Sequence, residues 1–182
     1  MISVDTWYAR VAREAVAAGA AMVNDISGGT LDPDMLPAVG RLQVPYVCMH
    51  MKGTPATMNS EANYDDVVRE VLDFFIRRIE ECRLAGIHDV ILDPGLGFAK
   101  TAAHNFELLR RLSVFRIAGK PILLGVSRKS TIYRTLGVTP EEALNGTTVL
   151  HTIGLLNGAD ILRVHDVKEA REVITLIAAY HN

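Results

Sequence analysis

Short apolar runs alternate along the chain with longer stretches whose apolar residues recur every three or four positions. The short runs have the length of buried strands, and the longer stretches have the period of amphipathic helices. The strands are predicted at 2–4, 20–23, 44–48, 90–92, 120–125 and 160–162. The clearest helical stretch begins at Tyr64 and carries on one face Val68, Val71, Leu72, Phe75, Ile79 and Cys82. Residues 51–63, rich in Met, Thr, Pro and Ser and without a sustained period, predict a long loop.

Three of the predicted helices have recognisable start signals. Asp32 followed by Pro33 is typical of an N-cap with proline at the first helical position. Residues 139–142 (Thr-Pro-Glu-Glu) have the pattern of a capping box, and Asp166 with Glu169 predicts the start of the last helix in the same way. These signals support a regular alternation of strands and helices.

This alternation predicts an α/β protein with a parallel sheet and helices outside it. An open doubly wound sheet and an eight-stranded barrel both fit the pattern. Nearly every strand ends in a polar residue at the same end, which favours a ring of strand tips around one mouth. A full barrel needs about 250 residues and eight strands. We therefore expect residues 1–182 to form a single domain, an incomplete parallel (β/α) barrel of TIM type with about six of the eight units.

Composition narrows the partners. The chain is 49% hydrophobic and 22% charged, with a formal net charge of −2 at pH 7 and no run rich in Lys and Arg. This balance argues against nucleic acid or an anionic membrane as a partner. No run of apolar residues is long enough for a membrane span. Both cysteines, Cys48 and Cys82, lie in apolar patterns, which indicates a reducing compartment and a cytoplasmic location.

The stretch 90–101 carries the strongest chemical signal. Its apolar run ends in Asp93, and Pro94 and Gly95 then stop the strand. The carboxyl ends of strands form the ligand-binding face of parallel α/β proteins, so Asp93 is a candidate binding group. The alternative is that Asp93 only begins a turn, as Asp-Pro-Gly does in many proteins.

The other strand ends add a set of polar and apolar side chains. With Asp93, the collected candidates are Asp5, Asn24, Met49, Phe98, Lys129, Arg163 and His165. Carboxylates accept paired N–H donors, a carboxamide both donates and accepts, and an ammonium donates. Met49 and Phe98 could cover the faces of a flat ring. The set as a whole suits a flat, polar heterocycle.

A second group suits an anion. Arg163 and His165 are two residues apart, so in extended chain they face the same way, and Ser127 with the pair Arg128 and Lys129 could bind phosphate. Taken singly, these residues have simpler explanations, since Arg128 could be solvated and His165 could only pack. Asn24 could likewise be a turn former, and its neighbour Asp25 should face away and bond to backbone. Lys52 and Lys100 could attract an anion or be exposed.

Five motifs resemble the dihydropteroate synthase family and occur in that family's order. They are residues 24–29 (Asn-Asp-Ile-Ser-Gly-Gly), 49–55 (Met-His-Met-Lys-Gly-Thr-Pro), 93–101 (Asp-Pro-Gly-Leu-Gly-Phe-Ala-Lys-Thr), 125–130 (Gly-Val-Ser-Arg-Lys-Ser) and 163–167 (Arg-Val-His-Asp-Val). The resemblance implies a pterin-binding barrel that condenses 6-hydroxymethyl-7,8-dihydropterin diphosphate with p-aminobenzoate in folate synthesis. It also implies a homodimer.

The resemblance assigns roles to residues of this sequence. Those that would hold or line the pterin are Asp5, Asn24, Met49, Asp93, Phe98 and Lys129. Those that would meet the diphosphate and the p-aminobenzoate are Ser130, Arg163 and His165. Among these, the catalytic residues would be Asp93, Lys129 and Arg163.

The family also uses Mg²⁺ on the diphosphate. Its Asn ligand and a closing loop lie in two family strands that precede the region matched here, so no residue of this sequence is predicted as a metal ligand. The expected chain is therefore the C-terminal two-thirds of the family's barrel. Two alternatives stay open: a pterin-binding fragment without catalysis, and a barrel like the methyltetrahydrofolate methyltransferases.

Overall fold

Strands and helices alternate in the computed structural model, which describes residues 1–58 and 60–181. The strands in these ranges are β1 (Ser3–Asp5), β2 (Met22–Asp25), β3 (Tyr46–Met49), β4 (Val90–Asp93), β5 (Leu123–Leu124) and β6 (Ile161–Leu162). The α-helices are α1 (Ala9–Ala17), α2 (Met35–Leu42), α3 (Val67–Leu84), α4 (Ala102–Arg110), α5 (Ser130–Leu136), α6 (Leu144–Leu156) and α7 (Val167–His181). A 3-10 helix, Leu112–Ala118, follows α4. The predicted loop at 51–63 contains no helix or strand in its described part, and its residue 59 lies outside the described residues.

All strand pairs are parallel, and the strands neighbour one another in chain order. β1 through β4 form one sheet, β5 pairs with β6, and a bridge between Leu92 and Ile122 joins the two groups. A doubly wound sheet instead reverses its strand order at a switch point. The sequential order therefore favours the barrel over the doubly wound alternative.

The curvature of the sheet supports the same conclusion. Arg163 directly follows β6, yet its Nη1 lies 3.4 Å from Oδ1 of Asn24 on β2. Four strand spacings separate β2 from β6, which in a flat sheet is roughly 19 Å. No arginine side chain spans that distance, so the sheet must curl until its two ends approach. The structure is an incomplete parallel barrel, as predicted.

The two faces of this curved sheet have different neighbours. Alternate residues such as Tyr46, Cys48 and Leu92 point outward into a large apolar core shared with the helices. The intervening residues point inward and form a small cluster of Val47, Ile91 and Leu123, with Met22 and Ile161 packed against it. The polar candidate residues lie on this inward face, at the carboxyl ends of the strands.

The sheet has two edges within the described ranges. β1 pairs only with β2, and β6 pairs only with β5. Two of the three residues of β1 are exposed, whereas every residue of β3 and β4 is buried. None of the helices in the described part of the chain has an apolar stretch long enough to cross a membrane.

Two of the predicted helix starts are wrong in position. α2 begins at Met35, because the Asp32 carboxylate accepts hydrogen bonds from the N–H of Asp34 (2.9 Å) and, across the fold, from the N–H of Ala9 (2.7 Å). Asp32 therefore supports the first turn of α1.

α6 begins at Leu144, four residues after the predicted proline. The carbonyls of Pro140 and Glu141 accept hydrogen bonds from the Arg128 guanidinium (2.9 and 2.6 Å), so a turn precedes the helix. Glu142 still accepts a bond from the N–H of Thr139 (3.0 Å), which is half of the predicted capping box. The last helix starts where predicted, at Val167.

Candidate functional site

The inward face of the sheet brings together side chains far apart in sequence. Residues two apart along an extended strand point to the same face. The positions two residues after the inward-facing Met22, Val47, Ile91, Leu123 and Ile161 therefore also point inward. These positions are Asn24, Met49, Asp93, Gly125 and Arg163. The parallel register sets Met49 level with Asp93. The mouth of the incomplete barrel is thus lined by the residues predicted from the strand ends.

Asp93 lies at the centre of this mouth and is 1% exposed. Its Oδ1 accepts a hydrogen bond from the N–H of Gly95 (2.8 Å), so Asp93 does begin a turn, as the simpler interpretation expected. Its Oδ2 is buried and has no hydrogen-bond partner, although Nη2 of Arg163 lies 3.4 Å away. A buried carboxylate oxygen without a donor is costly, so this atom is suited to accept hydrogen bonds from a ligand.

Arg163 links the two buried acceptors of the site. Its guanidinium contacts Oδ2 of Asp93 and Oδ1 of Asn24, both at 3.4 Å. Gly125 provides the room, because a Cβ there would stand 2.9 Å from Nη2 and 3.1 Å from Nε of Arg163. The guanidinium retains N–H donors for an anion at the open side of the mouth.

Lys129 enters the site from the loop after β5. Its ammonium donates to the Leu96 carbonyl and lies 4.8 Å from the centre of the Phe98 ring. Burial lowers the pKa of Lys129 to about 8, while Asp93 opposes and Arg163 adds to this shift. Lys129 is therefore a cation that burial makes costly, and it faces the same carboxylate as Arg163.

The apolar candidates lie beside this cluster. Met49 is fully buried, and it belongs to the same small apolar cluster as Phe98, Met51 and Ala99. Phe98 is only partly buried, so its side chain keeps some exposed surface.

The remaining candidates lie nearer the rim. His165 is exposed, and its Nδ1 lies 2.8 Å from Oγ of Ser127, which also accepts a bond from the His165 N–H (3.1 Å). Ser130 is the first residue of α5 and is partly exposed. Asp5 is exposed at the end of the edge strand β1, in register with Asn24.

The prediction that Arg128 binds phosphate is wrong. Its Nε and Nη2 donate to the two oxygens of Asp166, each at 2.9 Å, and its Nη1 donates to the carbonyls of 140 and 141. This geometry holds α7 and the turn before α6 to the loop after β5. Asp25, by contrast, faces outward and bonds to backbone as predicted, accepting from the N–H groups of Ser27 and Gly29, both at 2.8 Å.

His50 and Lys100, which are not among the site residues predicted from the sequence, contact each other next to Phe98. Lys100 bonds to the carbonyl of Phe98 (3.0 Å) and lies 3.0 Å from Nδ1 of His50, which is 3% exposed. Burial lowers the pKa of both groups, that of Lys100 to about 7 and that of His50 well below its usual value. The sequence offered no pattern that separates Lys100 from an exposed loop lysine.

A metal was expected to come with the diphosphate. Among residues 1–58 and 60–181, no three His, Cys, Asp or Glu side chains lie close enough to hold a metal ion. No step of the chemistry is therefore derived through a metal.

Comparison with known proteins agrees with this geometry. Residues 1–165 match the family described as pterin binding enzyme. The chain belongs to this family of pterin binding enzymes. It is 43% identical over 180 residues to the dihydropteroate synthase of Escherichia coli K12, an alignment that covers 98% of this chain and 64% of the relative. The resemblance inferred from the five motifs is confirmed.

Solved structures give the same result. The chain superposes on the Stenotrophomonas maltophilia dihydropteroate synthase with bound imidazole at a TM-score of 0.95 and 40% identity, covering 99% of this chain and 69% of that one. It superposes on the Xanthomonas albilineans dihydropteroate synthase in complex with 7,8-dihydropteroate at a TM-score of 0.90 and 41% identity. That superposition covers 98% of this chain and 68% of the other. The chain thus spans about two-thirds of the length of its relatives.

Proposed function

We propose that this chain binds the pterin of 6-hydroxymethyl-7,8-dihydropterin diphosphate and acts as a dihydropteroate synthase, joining it to p-aminobenzoate. The observation that carries the proposal is the buried Oδ2 of Asp93 at the mouth of the barrel, which contacts Arg163 at 3.4 Å but accepts no hydrogen bond. The amino-pyrimidinone edge of a pterin presents adjacent N–H donors, which a carboxylate accepts. Relatives that bind dihydropteroate or 4-aminobenzoate support the choice of substrates.

The pterin would occupy the centre of the mouth. Asp93 would accept its N–H donors, Asn24 would meet a ring nitrogen, and Lys129 would donate to the ring carbonyl. Phe98 and Met49 would supply the apolar walls, with Asp5 at the edge. This arrangement pairs each polar group of the cluster with a complementary group of the ring.

The proposed reaction is a substitution at the exocyclic methylene. The C–O bond to the diphosphate breaks, and its electron pair leaves with the diphosphate. The arylamine nitrogen then forms the new C–N bond and loses a proton. Arg163 and His165 would stabilise the negative charge of the leaving group, and Ser130 would meet the p-aminobenzoate carboxylate.

Three further expectations accompany this function. We propose that Mg²⁺ is carried by the diphosphate, because the described residues offer it no cluster of ligands. We also propose a cytoplasmic location and a homodimer. The homodimer is supported by exposed apolar side chains on α6 and α7, namely Val149, Ile153, Leu156, Leu176 and Tyr180.

A direct assay tests the proposal. The chain is incubated with the pterin diphosphate, p-aminobenzoate and Mg²⁺, and dihydropteroate is measured by chromatography. We expect formation that is lost in Asp93→Ala. If the protein yields no dihydropteroate, autonomous synthase activity is refuted.

A second candidate is a pterin-binding module without turnover. The open flank between β1 and β6, which leaves Asp5 exposed at one side of the mouth, favours it. Calorimetry with 6-hydroxymethylpterin separates the candidates, because binding without product formation supports the module and absence of binding refutes both.

A further inference from the structure

Lys100 joins the two loops that flank the site. Its Nζ lies 3.0 Å from Nδ1 of His50, 3.3 Å from the His50 carbonyl oxygen and 3.0 Å from the Phe98 carbonyl oxygen. An ammonium has three N–H donors and no acceptor, so each proton can meet one of these acceptors. The side chain thereby ties the end of β3 to the loop after β4.

The backbone around Lys100 is bent to make these contacts. Ala99 is buried and has φ of +48°, a left-handed conformation that a non-glycine residue rarely adopts. This bend lets the Lys100 ammonium return to the carbonyl of Phe98, two residues earlier. Gly95 lies against the other loop, since a Cβ there would come within 2.0 Å of the His50 carbonyl oxygen. The two loops are therefore in close contact where Lys100 joins them.

The surroundings favour a neutral His50 as acceptor. Burial, together with Lys100 and Lys52, lowers the pKa of His50 well below its usual value, so its ring stays neutral. The proton on the ring then belongs on Nε2, and Nδ1 accepts from Lys100. The charged or titratable groups around Lys100 are Asp93 on β4, Lys129 after β5, Lys52 and His50 after β3, and the Tyr64 ring at 6.0 Å.

We infer that Lys100 is a positioning residue of the site: by holding the carbonyls of His50 and Phe98 together, it fixes the Phe98 ring beside Lys129. The Phe98 ring is 4.8 Å from the Lys129 ammonium, so a shift of the Phe98 loop changes both the wall and the cation of the pocket. That this pocket receives a pterin rests on the proposed function.

The first test needs no pterin. The ¹⁵N chemical shifts of the His50 ring are compared in the wild type, Lys100→Met and the control Lys52→Met. Lys52 also lies over Tyr64, at 3.8 Å, but bonds to Glu70 (2.6 Å). We expect a fixed Nε2–H tautomer in the wild type and the control, and a mixture of tautomers in Lys100→Met. An unchanged tautomer in Lys100→Met overturns the inference.

The second test measures 6-hydroxymethylpterin affinity by calorimetry across neutral pH. Losing the bonds to two carbonyls should weaken binding about tenfold in Lys100→Met, and less than about twofold in Lys52→Met. Wild-type affinity should fall as pH rises through the Lys100 pKa of about 7, and again near the Lys129 pKa of about 8. Lys100→Met should keep only the later step. Equal affinities and pH profiles in the wild type and Lys100→Met contradict the inference.

The readouts separate the possible failures. If the wild type binds no pterin, the proposed function fails, while the His50 tautomer still decides the role of Lys100. If Lys100→Met does not fold, the wild type alone suffices: the His50 Nδ1 shift should change as Lys100 titrates near pH 7. A shift that stays constant over the whole deprotonation of Lys100 overturns the inference.

Discussion

Two buried aspartates at the ends of β2 and β4 differ in how their oxygens are used. Asp25 points outward, and its carboxylate accepts hydrogen bonds from the N–H and Oγ of Ser27, the N–H of Gly29 and the hydroxyl of Tyr46. Asp93 points inward, and one of its oxygens accepts no hydrogen bond. The carboxylate of Asp25 is therefore fully used within the protein, whereas that of Asp93 keeps one oxygen that a ligand could use.

The same division holds for the cations. The guanidinium of Arg128, outside the mouth, donates hydrogen bonds to Asp166 and to two backbone carbonyls. Lys129, its neighbour in sequence, faces Asp93, and burial lowers its pKa. We therefore expect Arg128 to serve stability and the adjacent Lys129 to serve binding. We expect substitutions outside the mouth to change the free energy of unfolding and substitutions inside it to change affinity.

The largest expected effect is on the outer face. Asp25→Ala leaves the buried donors of Ser27, Gly29 and Tyr46 unpaired, and burial keeps the Tyr46 phenol protonated. We expect the free energy of unfolding to fall by about 3–5 kcal/mol in urea denaturation. Asp25→Asn, which keeps part of the acceptor capacity, is the control and should lose less. A loss below about 1 kcal/mol for Asp25→Ala would contradict this account.

The next effect is on binding. Asp93→Ala removes the central acceptor, and we expect the affinity for 6-hydroxymethylpterin to fall about 100-fold or more, measured by calorimetry. Its free energy of unfolding should change less than that of Asp25→Ala, because removing Asp93 also removes a buried, half-paired carboxylate. The reverse order of stability losses would break the division between the faces.

The pH dependence of stability sharpens the comparison. The pKa values of Lys100 (about 7) and Lys129 (about 8) are below that of an unfolded lysine, so the unfolded chain binds more protons above these values. The free energy of unfolding should therefore rise as the pH increases from about 7 toward the pKa of an unfolded lysine, about 10.4. The rise should be up to about 1.4 kcal/mol per pH unit for each lysine. Urea denaturation at several pH values should show that the free energy of unfolding rises less steeply with pH in Lys100→Met and in Lys129→Met than in the wild type. A slope unchanged by both substitutions would contradict the burial of these ammonium groups.

The smallest expected effect comes from Gly125. A methyl group there would meet the Arg163 guanidinium at 2.9 Å, so Gly125→Ala should displace it. We expect about fivefold weaker binding of inorganic diphosphate with little change in unfolding, because the far end of a flexible side chain can move. Ala178→Ser, at an exposed position on α7, is the control for a substitution that adds one heavy atom. Equal diphosphate affinities in the two variants would show that Gly125 has no role in placing Arg163.

Sequence reasoning could predict the strands and most of the mouth, because both follow from local pattern. The apolar run before Asp93 marks a strand end, and the two-residue period then sets its direction. The choice between barrel and open sheet also came from the strand ends, and the contact of Arg163 with Asn24 agrees with it.

What the sequence could not predict depends on long-range contacts. Asp32 looks like a local cap, yet its carboxylate is shared with the N–H of Ala9, 23 residues away. Arg128 looks like a phosphate ligand until Asp166 is found beside it, 38 residues later. Lys100 is a loop lysine by pattern, and its partial burial follows from its contact with His50, 50 residues earlier, next to the left-handed bend at Ala99.

The most direct test of the central claim is a calorimetric titration of the wild-type chain with 6-hydroxymethylpterin, with folding checked by circular dichroism on the same sample. We predict binding of one pterin per chain that is lost in Asp93→Ala and kept in Arg128→Lys. A folded chain that releases no heat of binding, or that binds equally well without the Asp93 carboxylate, would contradict a pterin site on the inner face.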